Sequence, residues 1–290
     1  MFNIKKSLLC ISAISCMSLY ASTIEVTNPI TIGSTPSVPT ETGYNYWENS
    51  NTYVFNTSSN NNYTYWKPKG TVTVDEGYTL KLLTDYNSYY YVLDCNNIFT
   101  NNGNVIIDNY GALSIDYNNA TISDSINNGT IYIITGKLGL YWSATLNNKG
   151  TITFKDSSYI VISDSSTLTN TGTIDISNIT DLSEWGNNYG TFKLEGGSTF
   201  ILPKSIPTNK INTSWRINPI ILNGTDNNPV NIVIPKDCEY IKNIDNNKKE
   251  DLFEAIEDAT GFTFSEDKDN VKFSWQTSID NEYEYVDECD

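Results

Sequence analysis

Along much of the chain apolar and polar residues alternate with a period of two. Gly70-Thr71-Val72-Thr73-Val74 alternates, and Tyr78-Thr79-Leu80-Lys81-Leu82 does so again after the turn at Glu76-Gly77. That period predicts strands with one buried face, separated by turns. Ile30-Thr31-Ile32-Gly33 predicts an earlier short strand, followed by a loose stretch through Pro36 and Pro39.

The alternation then becomes a repeat. Asn102-Gly103-Asn104-Val105-Ile106-Ile107 returns as Asn128-Gly129-Thr130-Ile131-Tyr132-Ile133. It returns again as Lys149-Gly150-Thr151-Ile152-Thr153-Phe154 and Thr171-Gly172-Thr173-Ile174-Asp175-Ile176, with a weaker copy at Tyr189-Gly190-Thr191-Phe192. Successive glycines are 26, 21, 22 and 18 residues apart, about one coil of a parallel β-helix. A sandwich of Asn-Gly hairpins would also show period two, but not one phrase at near-constant spacing. The fold class read here is all-β, a parallel β-helix (β-solenoid). Its buried face is Val105, Ile107, Ile131, Ile133, Ile152, Phe154, Ile174 and Ile176. Gly and Asn suit the sharp turns because they tolerate positive φ, and Asn at equivalent turns can stack into hydrogen-bonded ladders.

Past residue 200 the texture changes. Pro203, Pro207, Pro219, Pro229 and Pro235 interrupt short strands at Ile217–Leu222 and Val230–Ile234. Within Asn246 to Thr260 a helix is predicted, with Leu252, Phe253 and Ile256 on one face and Gly261 as its stop. Phe262–Phe264 and Val271–Trp275 are expected to form a closing hairpin. The predicted organisation is residues 1–21 as signal peptide and 22–69 as a Thr/Pro/aromatic-rich segment. Repeats follow at 70–200, and a small α+β C-terminal cap covers the open edge at 201–290.

The phrases Asn128-Gly129-Thr130-Ile131, Asn148-Lys149-Gly150-Thr151-Ile152 and Asn170-Thr171-Gly172-Thr173-Ile174 resemble the repeats in passenger domains of bacterial autotransporter and haemagglutinin-like adhesins. The resemblance covers about residues 98–200. It implies a β-helix displayed outside the cell and a function in adhesion. Such families often end in a membrane β-barrel closing on an aromatic residue. This chain ends Tyr285-Val286-Asp287-Glu288-Cys289-Asp290, so release, a separate anchoring or secretion partner, or a shortened passenger is expected.

The N-terminus agrees with export. Lys5 and Lys6 precede an apolar run from Leu8 to Leu19, and Ala21 suits the last residue before cleavage. A lipoprotein signal ending at Cys16 is the alternative. Removing residues 1–21 leaves 16 basic against 34 acidic side chains, a net charge of −18. Bulk electrostatics therefore oppose nucleic acid and anionic membranes as partners. An oxidising compartment permits disulfides. Cys238 and Cys289 are expected to pair, leaving Cys95 as a buried small hydrophobe.

Chemistry is constrained by absences. There is no histidine and one arginine, Arg216, so no Ser-His or Cys-His pair and no His-ligated metal can form. Asp108 with Asp116, or Asp116 with Asp124, could serve as a glycoside-cleaving carboxylate pair. In the turns of an acidic protein they read first as solvated surface charge, and calcium suits them better than catalysis. No D-x-D-x-D-G loop supports calcium, and no cofactor is expected. Tyr86, Tyr89, Tyr90 and Tyr91 cluster, and Trp47 and Trp66 lie in aromatic-rich stretches. On a flat β-face such side chains stack on sugars or anchor a protein. The functional expectation is a secreted or surface adhesin-like binding protein, not an enzyme. Its partner is a host or neighbouring-cell glycan or protein. A polysaccharide-degrading enzyme and a surface-layer or fibre component are the alternatives.

The export reading makes a first prediction. N-terminal sequencing of the exported chain should find Ser22; a lipid-modified start at Cys16 would replace it with the lipoprotein reading.

Overall fold

The computed structural model describes residues 22–26, 29–38, 45–57, 64–84, 92–116, 124–163, 165–186, 189–211, 218–235, 238, 240–241, 248–266, 268–276 and 283–285. The predicted signal peptide at 1–21 lies outside them. The chain is a parallel β-solenoid with three sheets, the first six coils each contributing a strand to every face.

The first coil comprises Ser22–Val26 (β1), Ile30–Ile32 (β2) and, after the arm Asn45–Asn49 (β3), Thr52–Thr57 (β4). The second is Thr64–Pro68 (β5), Val72–Val74 (β6) and Thr79–Thr84 (β7). The third is Leu93–Cys95 (β8), Phe99–Asn101 (β9) and Asn104–Ile107 (β10). Then come Gly111–Asp116 (β11), Ser125–Asn127 (β12) and Thr130–Ile133 (β13). The fifth coil is Gly136–Tyr141 (β14), Thr145–Asn148 (β15) and Thr151–Asp156 (β16). The sixth is Tyr159–Ile162 (β17), Thr167–Asn170 (β18) and Thr173–Ile179 (β19). Two shorter turns follow: Thr191–Glu195 (β20) with Thr199–Ile201 (β21), and Ile221–Asn223 (β22) with Val230–Ile234 (β23). Helix α1 (Lys249–Thr260), Val271–Gln276 (β24) and Tyr283–Tyr285 (β25) complete it.

Sheet A runs β1-β5-β8-β11-β14-β17, sheet B runs β2-β6-β9-β12-β15-β18-β20-β22, and sheet C runs β25-β24-β23-β21-β19-β16-β13-β10-β7-β4-β3. Stacking thus begins well before residue 70 and continues past residue 200. Neither limit was visible in the sequence, because the flanking coils lack the Asn-Gly phrase. The parallel register makes a core of rows. In sheet C, Leu80, Val105, Ile131, Ile152, Ile174, Phe200, Ile232 and Phe273 lie one above another, all buried. Sheets B and C show the alternating burial that the sequence predicts.

At the corner between sheets B and C the repeated phrase has two roles. Asn101, Asn127, Asn148 and Asn170 are fully buried and occupy one register position. Each Nδ2 donates to the next Oδ1, at 2.7 Å from Asn101 to Asn127 and 2.6 Å for the two steps beyond. The same Nδ2 groups also reach the carbonyls of Thr130, Thr151 and Thr173. Val74 and Leu194 take this position in the adjoining coils and end the ladder.

The glycines two residues later need a corrected explanation. Positive φ among the glycines occurs only at Gly77, Gly197 and Gly261 of those described, not at the repeated turns. A Cβ on Gly129 would run into the Gly103 carbonyl, one on Gly150 into that of Gly129, and one on Gly172 into that of Gly150. Backbone crowding between coils, not turn handedness, requires glycine there.

The C-terminal end keeps the predicted helix. Leu252, Phe253 and Ile256 are buried, and Gly261 closes the helix with φ 78° and its N–H on the Glu257 carbonyl. The expected hairpin is not formed. Phe264 bridges to Ile220 beside sheet B, while β24 extends sheet C parallel to β23 and then pairs antiparallel with β25. The stacking pattern simply continues there, so these two segments join different sheets.

Asn148→Leu strips a donor and an acceptor from the middle of the ladder, and a loss of about 2–4 kcal/mol is expected. Gly150→Ala, a change that adds about 0.4–1 kcal/mol where the backbone is open, should also destabilise. An unchanged urea midpoint in either variant would remove the corresponding role.

Candidate functional site

Sheet A departs from the alternating rule. β11 is buried at every position from Gly111 to Ile115, and β14 from Gly136 to Leu140. Residues alternating with the core positions Leu113, Ile115, Leu138 and Leu140 face outward, yet are still enclosed. Several of these are polar. Asp94 on β8 is 5% exposed, Ser114 on β11 is wholly buried and Lys137 on β14 is 8% exposed.

The register brings them together. Asp94 lies opposite Ser114, and Asp116 opposite Tyr141. Ser114 Oγ donates to Asp116 Oδ1 at 2.7 Å. Lys67 Nζ reaches Asp94 Oδ2 at 3.5 Å. Asp94 Oδ1 is buried and has no donor among the described residues. Burial, together with the neighbouring Asp116 carboxylate, pushes the Asp94 carboxyl up to about 7 against the pull of Lys67. Burial likewise draws Lys137 down to about 8, opposed by Asp116. Beside them Cys95 lies in the core, where burial pushes its thiol upward.

The strand end that carries Asp116 and Tyr141 leads into the corner between sheets A and B. The Tyr141 ring lies over Gly139, where a Cβ would collide with it. Lys137 Nζ stands 5.8 Å from the centre of that ring. The next residue, Trp142, is 65% exposed, and both it and Ser143 adopt left-handed backbone with φ 56° and 66°. Further along the same corner Tyr189 is 52% exposed, has φ 66°, and bridges to Ser163. Left-handed φ at a bulky residue is costly and uncommon.

The residues singled out in the sequence are placed differently. Asp108 accepts from the Asn109 N–H at 2.7 Å and from Thr135 Oγ1 at 2.8 Å, which makes it a corner cap. Asp116 sits at the far end of the following strand, so the two do not form a pair. Asp124 precedes β12 and accepts from Asn147 Nδ2 at 2.9 Å. The partner of Asp116 is Asp94, 22 residues earlier and one coil away, which no local spacing rule finds. Trp66 is fully buried, with its ring 5.3 Å from that of Phe55. It is a core residue, and the binding role read for it is withdrawn. Trp47 is 36% exposed on the edge strand β3, with its ring edge-on to Tyr53 at 5.1 Å. Tyr86, Tyr89, Tyr90, Tyr91 and Cys289 lie outside the described residues. Cys238 is buried behind Pro203, whose carbonyl its Sγ approaches at 3.8 Å. Groups of three or more Cys, Asp or Glu side chains able to hold a metal are absent among the described residues.

The missed residues had one legible signal. Tyr141-Trp142 ends a strand of the repeat with two adjacent aromatic residues, where the following coil carries Ser163 next to its strand end. Comparison with known protein families, curated proteins and solved structures gives no match.

Asp94 generates a pH prediction. Its folded value is raised from 3.8 to about 7, so the fold favours the protonated form. Its contribution is therefore favourable in acid and is lost as pH rises from about 4 to about 7. Asp94→Asn should be more stable than the parent at pH 8, by on the order of 2–4 kcal/mol, with the difference shrinking towards pH 4. Parallel stability curves for the two proteins across that range would contradict this.

Proposed function

We propose that this chain is an exported or cell-surface binding protein of adhesin-like type, using a rigid β-solenoid as the scaffold for contact with another cell or its matrix. The observation that carries the reading is the pair of strongly exposed aromatic residues, Trp142 and Tyr189, at one corner of the stack. Exposed indole and phenol rings present an apolar face with a polar edge, which suits contact with a partner. The signal-peptide pattern at 1–21 and the net charge of −18 without that segment suit an exported protein that repels its own copies and approaches neutral surfaces.

The hydrolase alternative has one feature in its favour, the raised carboxyl of Asp94. Against it, that carboxyl is enclosed and engaged with Asp116, whereas glycoside cleavage needs two carboxyls standing apart around the substrate. The binding reading therefore ranks first.

Fluorescently labelled protein lacking residues 1–21 should adhere saturably to host cells, extracellular matrix or neighbouring bacteria, and unlabelled protein should compete. Absence of saturable adhesion to all three surfaces would refute the reading.

A further inference from the structure

We propose that the corner between sheets A and B is a binding track for a linear, uncharged polysaccharide lying along the solenoid axis, with Trp142 and Tyr189 as its stacking platforms; this rests on the binding reading above and names its ligand class.

Three features of the corner converge on that chemistry. The first is spacing. Trp142 belongs to the fifth coil, and Tyr189 precedes β20, two coils further on. Neighbouring strands of a sheet are about 4.8 Å apart, which sets the two rings on the order of 10 Å apart along the axis. That span is comparable to a disaccharide unit, so a chain stepping along the corner can lay a sugar face on each ring. Ser165 lies at the corner of the coil between them, exposed and small, with φ 64°. Its small side chain adds little bulk between the two rings.

The second is preorganisation. Trp142, Ser165 and Tyr189 all hold left-handed backbone. Each projects from a corner whose neighbours are tied by main-chain hydrogen bonds, such as Ser163 N–H to the Leu140 carbonyl at 2.9 Å and Thr191 N–H to that of Ser166 at 2.8 Å. Rigid aromatic groups lose little entropy on binding.

The third is polarity. Asp116, half-buried at the end of β11 and opposite Tyr141, borders the platform with an acceptor oriented by Ser114. Carboxylate acceptors beside aromatic faces match sugar hydroxyls above apolar C–H faces. The acidity of the chain disfavours polyanions such as uronates or sulfated glycans. A neutral polymer of glucose, mannose or N-acetylglucosamine fits both constraints.

The test uses the protein from residue 22 onward and immobilised neutral glucans, mannans and chitin, with polygalacturonate as the charged comparison. Retention on at least one neutral polymer is expected, with quenching or a blue shift of tryptophan fluorescence. Trp142→Ala and Tyr189→Ala should each weaken retention about tenfold, the loss of one stacked ring. Trp47→Ala, at a distant edge, should not. Circular dichroism and urea midpoints of the variants check that the coil stack persists. Retention on no neutral polymer, stronger retention on polygalacturonate, or neutral-polymer binding unaffected by both corner substitutions overturns the inference. Cell adhesion measured alongside separates the two failures. Adhesion that survives Trp142→Ala and Tyr189→Ala leaves the binding reading standing with its site elsewhere, whereas loss of all adhesion in the parent protein defeats both.

Discussion

At the corner between sheets B and C, consecutive coils approach so closely that the backbone of one occupies the space a side chain of the other would need. Gly103, Gly129, Gly150 and Gly172 make that approach feasible. The buried amides of Asn101, Asn127, Asn148 and Asn170 make it favourable, since the oxygens of Asn127, Asn148 and Asn170 each accept from the amide of the coil before in an interior that would otherwise penalise them. Because this corner fixes the vertical register, the apolar rows of sheets B and C fall into line. A one-residue slip would move Val105, Ile131, Ile152 and Ile174 to the solvent face.

The ladder is confined to the middle of the stack, and the ends are handled differently. Val74 and Leu194 replace asparagine in the adjoining coils, so the ladder stops without placing another amide in the core. Sheet C is terminated at both ends by an antiparallel strand, β3 on β4 and β25 on β24. Reversing direction there breaks the parallel template that would let further coils or other molecules add indefinitely.

Sheet A, enclosed on both faces, is where charge is concentrated. Lys67, Asp94, Asp116 and Lys137 come from four successive coils, and their mutual placement depends wholly on inter-coil register. The cluster lies beside the strand end from which Trp142 projects. Interior charge and exposed aromatic surface are thus two parts of one region, one enclosed and the other facing outward.

Much of this architecture is local information and was legible in the residues. Period-two alternation, the Asn-Gly-Thr-Ile phrase at 21 to 26 residues, and Leu252, Phe253 and Ile256 ahead of Gly261 determine strands, coils and one helix, because each depends on neighbours within a turn or two. The asparagine ladder was also foreseeable, since equal positions in equal coils must meet. The tertiary structure alone decided the rest. Loops of unequal length separate the strands of sheet A, so the meeting of Asp94 with Asp116 could not be computed from spacing. Whether an aromatic residue faces core or water depends on its place in the coil: strand register buries Trp66 within β5, whereas left-handed backbone past the end of β14 turns Trp142 outward. The repeated glycines, too, were legible as turns, but the reason for them lies in the next coil rather than in their own.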